Sequence, residues 1–279
     1  MSSNIDLHLH TNRSDGKLSP TNLVRLLAEQ GLEYAAITDH DTIDGIEEAN
    51  AEAKRFPQLT IIPGIEISAN VLGEEVHILG YFIDPSSTNM IKTLKDAQDD
   101  RRNTGRKIVK KLGELGFPIK WELVEELADG ATITRPHIAQ AMIDNGYIST
   151  IQEAFDKYIG EGGPANVERK RFSHTKAINL IKTSGGVATL AHPARYVRDL
   201  ERRLPALVRA GLTGLETYYK DYTPSEVNYL LGLCKTYSLI PTGGTDYHGF
   251  DSPDEVKPGV TGPPEKSLFD LTLIAQSKD

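Results

Sequence analysis

Cysteine is almost absent from this 279-residue chain, with Cys234 the only one. An intrachain disulfide is therefore excluded, and so is a cysteine-rich structural zinc site. Long apolar runs are missing too. Those present, such as Tyr34–Ile37, fall far short of the ~18 residues a membrane-spanning helix needs. The opening Met-Ser-Ser-Asn-Ile-Asp-Leu-His has no basic segment followed by an apolar stretch, so it does not read as a signal peptide. These absences together lead us to expect a cytoplasmic protein that makes no use of a membrane. Basic residues are outnumbered, Lys+Arg 31 against Asp+Glu 39, for a net charge of −8. That balance disfavours broad non-specific binding to nucleic acid, although a local basic pocket can still grip a phosphate.

What is present is an ordinary globular composition, 39% hydrophobic and 25% charged, long enough for one large domain or a domain with a smaller companion. Nearly continuous Val/Ile/Leu/Ala stretches recur at residues 5–10, 34–38, 60–68, 76–82, 187–191, 214–218 and 239–245, as expected of strands covered on both faces. Helical patterns lie between several of them. Residues 20–30 open after Ser19, a good N-cap, with Pro20 at the first helical position, and stop at Gly31; residues 175–184 stop at Gly185-Gly186. Alternation of about seven strands with helices predicts an α/β barrel. Residues 89–166 break the rhythm with helical segments only, at 96–115, 122–127, 136–145 and 151–158, separated by turn signals. The expected organisation is a barrel of residues 1–95 and 167–279 carrying a small helical insertion, 96–166, with 251–264 an irregular surface loop.

The histidines are placed unevenly. Most of the eight fall at strand ends, in Asp6-Leu7-His8-Leu9-His10, Thr38-Asp39-His40-Asp41, Ala191-His192-Pro193 and Thr245-Asp246-Tyr247-His248, while His77 opens Val76-His77-Ile78-Leu79. In an α/β barrel the C-terminal strand ends converge on one face. Positions i and i+2 of a strand point the same way, so His8 with His10, and Asp246 with His248, can each reach a common point. Glu66 in Gly64-Ile65-Glu66-Ile67-Ser68 and Asp15 in Ser14-Asp15-Gly16 join them. Packing alone gives no reason to gather so many imidazoles and carboxylates on one rim. Mixed His and carboxylate donors suit Zn, Mn or Fe used for hydrolysis, and nine candidates exceed the needs of one ion. Two or three divalent ions are expected, bridged by Glu66.

These motifs, taken in order along the chain, resemble the PHP (polymerase and histidinol phosphatase) family. Within it the chain is most similar to small bacterial phosphoesterases with a helical insertion, among them nucleoside 3′,5′-bisphosphate phosphatases, AMP phosphatases and a 5′→3′ exoribonuclease. Thr134-Arg135-Pro136-His137 and Tyr158-Ile159-Gly160 before Gly163-Pro164-Ala165 carry that finer likeness. The resemblance implies a distorted (β/α)7 barrel with a trinuclear centre whose ligands are His8, His10, Asp15, His40, Glu66, His77, His192, Asp246 and His248. It also implies catalysis by a metal-bound hydroxide held by His8, His10, Asp15, Glu66 and Asp246.

Clustered divalent ions lower the pKa of bound water and clamp phosphoryl oxygens, and phosphoryl transfer asks chiefly for such positioning and charge neutralisation. Several +2 ions outweigh an overall charge of −8 near the site. Arg195, just past His192, and Arg135, at a helix start in the insertion, are the candidates for gripping phosphate bidentately. His137 and His174 are further candidates for substrate contact, and the run Arg169-Lys170-Arg171 could track a second phosphate or an RNA backbone. The expected partner is a small phosphate ester, a nucleotide such as AMP or a nucleoside 3′,5′-bisphosphate, or short RNA; no protein partner is implied. Hydrolysis of phosphomonoesters is the leading reading. Exonucleolytic release of mononucleotides from short RNA is its rival, and histidinol phosphatase, amide hydrolysis and a non-catalytic metal-binding module stand behind it.

Overall fold

The computed structural model describes residues 3–167, 172–196, 199–250 and 255–277, with the backbone alone at 195 and 196. The N-terminal region follows its local signals closely. Strand β1 (Ile5–Leu9) leads to helix α1 (Pro20–Glu29), where the Ser19 side chain accepts the Asn22 N–H and Pro20 needs no partner for a missing donor. Then come β2 (Tyr34–Ile37), α2 (Ile46–Ala53), β3 (Thr60–Val71) and β4 (Glu74–Tyr81). Four helices follow, α3 (Thr88–Glu114), α4 (Trp121–Ala128), α5 (Arg135–Asp144) and α6 (Ile151–Ala154), the last running into a π-helical turn, Phe155–Ile159. The chain closes with β5 (Phe172–Ser173), α7 (His174–Thr183), β6 (Val187–Leu190), α8 (Pro193–Tyr196), α9 (Leu200–Ala210), β7 (Gly214–Tyr219), α10 (Pro224–Tyr237), β8 (Ile240–Gly244) and α11 (Glu265–Gln276).

The strands form one curved sheet in the order β1-β2-β3-β4-β6-β7-β8, with the short β5 beside the far end of β3. A parallel bridge between Leu9 and Tyr247 brings the two edges together, so the sheet is a nearly closed barrel. Strict parallel alternation fails at β4. Only Leu72 and Gly73 separate it from β3, too short a link for a crossover, so β4 pairs antiparallel with both β3 and β6. That reversal has a consequence for the rim. His77, near the start of β4, thereby meets the C-terminal ends of the parallel strands.

The barrel interior is packed with Ile5, Leu7, Ala36, Ile62, Leu79, Tyr81 and Val187, closed from one side by Leu268 and Leu271 of α11. A second apolar cluster, among them Ile108, Leu112, Val124, Ile138, Met142, Ala154 and Ile159, is built wholly from the segment between β4 and β5. Helix α3 starts at Thr88, eight residues before the periodic stretch in the sequence, because Ser87 caps it by accepting the Met90 N–H. No described helix is long and apolar enough to cross a membrane.

Candidate functional site

Each strand end delivers its side chain to one rim because its backbone is fixed by a buried polar residue nearby. Asp6, fully buried, accepts the N–H groups of His8, Thr245 and Gly259 and the Thr245 hydroxyl, stitching β1 to the segment after β8. Burial pushes its carboxyl up to about 6 even against those four donors. Asp39 accepts from the Thr11 N–H, the Thr11 hydroxyl and the Ser14 hydroxyl, each at 2.7 Å, which folds the loop carrying Asp15 over the rim. Asp41 donates its N–H to the Glu66 carbonyl and accepts the Ser68 N–H, holding His40 against Glu66.

Among the described residues, three sets of donors converge there. His10, Asp15, His40 and His248 form one, His8, His10, Glu66 and Asp246 a second, and His40, Glu66 and His77 a third, each with donor atoms within 4.8 Å of one another. Glu66 lies at the centre, with Oε2 3.4, 3.3 and 3.2 Å from His8 Nε2, His10 Nε2 and His40 Nδ1, and Oε1 3.0 and 3.1 Å from His77 Nδ1 and His192 Nε2. His192 belongs to none of the three sets but touches both Glu66 and His77. Asp246 Oδ1 lies 3.3 Å from His8 Nε2 and 3.1 Å from His10 Nε2, while its other oxygen accepts the Tyr219 hydroxyl at 2.8 Å.

The electrostatics are those of a crowded, dry cluster. Burial opposes protonation of His10, but the Asp246 and Glu66 carboxylates outweigh it and push the ring up to about 10. His77 rises to about 9 by the same contest, burial against Glu66 and Glu75. His40 goes the other way, to about 4, because burial prevails over Glu66 and Asp15 while His10 and His77 repel its proton. Burial also opposes ionisation of Glu66, Asp15 and Asp246, yet the surrounding histidines hold all three below the usual carboxylate range.

The donor atoms fit cations. His8 Nε2, both nitrogens of His10, His40 Nδ1, Glu66 Oε2 and Asp15 Oδ1 are buried and crowded together, yet none makes a well-aligned hydrogen bond. A buried donor or acceptor left in that state is costly, and a divalent ion would satisfy several at once.

This rim forms one wall of a cleft of about 930 Å³. The lining is completed by the segment after β4: Arg101 on α3, Thr134 and Arg135 at the start of α5, and apolar side chains among which Phe155 is partly exposed. Arg135 faces Glu75 at 3.9 Å, and Arg203 of α9 is held by Glu74 at 2.6 Å. The other residues singled out for substrate contact are placed differently. His137 accepts the Thr134 N–H on Nδ1 at 3.1 Å, so its proton sits on Nε2 and the ring caps α5. Burial lowers its pKa. His174, at the start of α7, has Nδ1 3.2 Å from the carbonyl of Asn70. The Arg195 side chain and the run Arg169-Lys170-Arg171 lie outside the described residues.

Some polar residues at the site carried no motif in the sequence. Glu216 holds His8 and His192; Arg101 binds Asp41 and Ser68; Tyr219 holds Asp246. A lone carboxylate inside the apolar strand Gly-Leu-Glu-Thr-Tyr-Tyr was the one available signal for Glu216. Arg101 sits in a helix already full of charge, where nothing in the sequence distinguishes it.

The PHP domain model matches residues 6–167. A 5′-3′ exoribonuclease of Haemophilus influenzae is 35% identical over 251 residues, 89% of this chain and 91% of that protein. A 3′,5′-nucleoside bisphosphate phosphatase of Chromobacterium violaceum is 30% identical over 88% of this chain and 87% of its own. Among solved structures, a Bifidobacterium adolescentis protein assigned as a metal-dependent phosphoesterase superposes with a TM-score of 0.87 at 29% identity, covering 97% of this chain and 96% of that one.

Proposed function

The chain belongs to the PHP family and is a metal-dependent phosphoesterase, and on that premise we propose that it hydrolyses phosphomonoesters of nucleotides. His8, His10, Asp15, His40, Glu66, His77, His192, Asp246 and His248 would hold two or three divalent ions of Mn, Fe or Zn, with Glu66 shared between them. Ions bound there lower the pKa of water and neutralise charge on phosphoryl oxygens. The chain's own side chains do the rest. Arg135, on the cleft lining and 3.9 Å from Glu75, has a planar fork that can hold a substrate phosphate through two hydrogen bonds. Phe155 and Val167, both only partly buried, give the cleft an apolar surface suited to a nucleobase. The insertion, residues 96–166, thus supplies the substrate wall, and the barrel supplies the chemistry.

The observation that carries this reading is the cleft itself, about 930 Å³ in volume and lined both by a dense cluster of metal-type donors and by arginine and apolar side chains. A second reading, release of mononucleotides from the 5′ end of short RNA, is favoured by the 35% identity to the exoribonuclease. The two are separated by assaying adenosine 3′,5′-bisphosphate, AMP and a 5′-phosphorylated RNA oligomer with Mn²⁺. Inorganic phosphate released from the mononucleotides faster than mononucleotides from RNA supports the phosphatase. Mononucleotides from RNA with no phosphate from AMP or the bisphosphate contradicts it.

A further inference from the structure

Glu216 is fully buried and belongs to none of the three donor sets, yet it holds two of the histidines. From β7 its two oxygens turn toward different parts of the chain. Oε1 accepts the Nδ1–H of His8 on β1 at 2.9 Å, and Oε2 accepts the backbone N–H of His192, just after β6, at 2.5 Å. We infer that Glu216 is a positioning residue of the metal centre, fixing the tautomer of His8 and the backbone of His192. The inference rests on the ligand set proposed above.

The tautomer follows from hydrogen counting. A neutral imidazole has one N–H and one bare nitrogen, so a ring that donates from Nδ1 presents its lone pair on Nε2. His8 Nε2 is the atom that faces Glu66 Oε2 at 3.4 Å and Asp246 Oδ1 at 3.3 Å, and it makes no hydrogen bond of its own. A carboxylate behind the ring also raises the basicity of the coordinating nitrogen. At His192 the backbone has φ +31°, a region that a non-glycine residue occupies only where its surroundings hold it there. The short bond from Oε2 to its N–H is such a hold. A carboxylate enclosed in a barrel interior is expensive to keep, and an apolar side chain of similar size would serve packing better. Both oxygens are instead spent on residues that face Glu66.

Glu216→Gln tests this sharply. If the amide oxygen faces His8, its NH2 confronts the His192 N–H, donor against donor. If the amide is flipped, the NH2 donates to His8 Nδ1 and the ring's proton is driven onto Nε2, where it blocks coordination. Wild-type and variant chains would be stripped with a chelator and reloaded with Mn²⁺ or, in parallel, Zn²⁺. Bound metal per chain, affinity by chelator competition and the melting temperature of the metal-free proteins would be compared. The expected result is one ion weakened by roughly 10–100-fold, the usual loss when the partner of a ligating histidine is removed. The ion served by Asp15, His40 and His248 should keep its affinity. Wild-type metal content and affinity in the variant, with only a lowered metal-free melting temperature, would mean that Glu216 is structural, and would overturn the inference while leaving the ligand set standing. No metal bound by the wild type would overturn both. Should Glu216→Gln prove insoluble, Glu216→Asp decides in the same way, since it keeps the charge but withdraws the carboxylate by one methylene: a weakened ion supports the inference and unchanged affinity overturns it.

Discussion

Arg101 on α3 donates from Nε to the Asp41 carboxylate at 2.8 Å, and Nη2 of the same guanidinium donates to that oxygen and to Ser68 Oγ. The side chains are 10% and 2% exposed, so the pair is buried, and it joins the long helix after β4 to the turn that carries His40. Removing one member of a buried ion pair leaves the other in a medium that solvates it poorly. Arg101→Met, which keeps most of the stem, is expected to cost about 3 kcal/mol in urea unfolding. Adding Asp41→Asn to the same chain should recover part of that loss. A cost below about 1 kcal/mol, typical of a surface pair, would show that the contact is not the buried strut it is taken for.

Gly244, at the end of β8, lies against β1. A Cβ there would stand 2.5 Å from both the backbone nitrogen and Cβ of His8 and 2.8 Å from Asp6 Oδ1. Backbone atoms cannot swing aside as a flexible side chain would, so Gly244→Ala must displace β1. The expected destabilisation is about 1–3 kcal/mol, accompanied by loss of bound metal because His8 moves with its strand. Unchanged melting temperature and metal content would refute the close packing of these strands.

Arg135 provides a kinetic prediction. The side chain touches the cleft and not the donor cluster, so Arg135→Ala should raise KM or lower kcat on a nucleotide while leaving bound metal per chain unchanged. On the order of 10-fold in kcat/KM is expected for losing one charged hydrogen-bond donor to phosphate. Unaltered kinetics would remove Arg135 from the substrate wall.

Cys234 provides a prediction of a different kind. It is 4% exposed on the inner face of α10, with Thr217 Oγ1 at 3.5 Å, and burial pushes its thiol up. Since the thiolate is the reactive form, both the enclosure and the raised pKa slow its chemistry. Labelling by an aromatic disulfide reagent at pH 8 should be at least about 100-fold slower in the folded chain than in urea, limited by opening of the structure. Rapid labelling of the folded chain would contradict the packing of α10.

Much of this architecture was legible because the relevant signals are local. Ser19-Pro20 and Gly31 bound a helix by capping chemistry, and the apolar runs mark buried strands by composition alone. The gathering of histidines was legible for a related reason: in a barrel, being at a strand's C-terminal end is already a location. What escaped depends on pairing between distant segments. The reversed direction of β4, which carries His77 to the common rim, follows from a two-residue link that the sequence pattern does not flag as a hairpin. The roles of Arg101 and Glu216 exist only once α3 is laid beside Asp41 and β7 beside β1. Helix α11, whose Leu268 and Leu271 close the barrel, follows an irregular stretch and is defined by the surface it covers.

The central claim is that one cluster of histidines and carboxylates holds the ions on which phosphate-ester hydrolysis depends. The most direct test is to purify the chain without chelator, measure bound metal, and follow phosphate release from a nucleotide before and after stripping, in the wild type and in Asp246→Ala. The account predicts two or three ions per chain, activity that vanishes on stripping and returns with Mn²⁺, and an Asp246→Ala protein that has lost metal and does not recover. Full hydrolysis by the stripped protein, or by Asp246→Ala at wild-type rate, would contradict it.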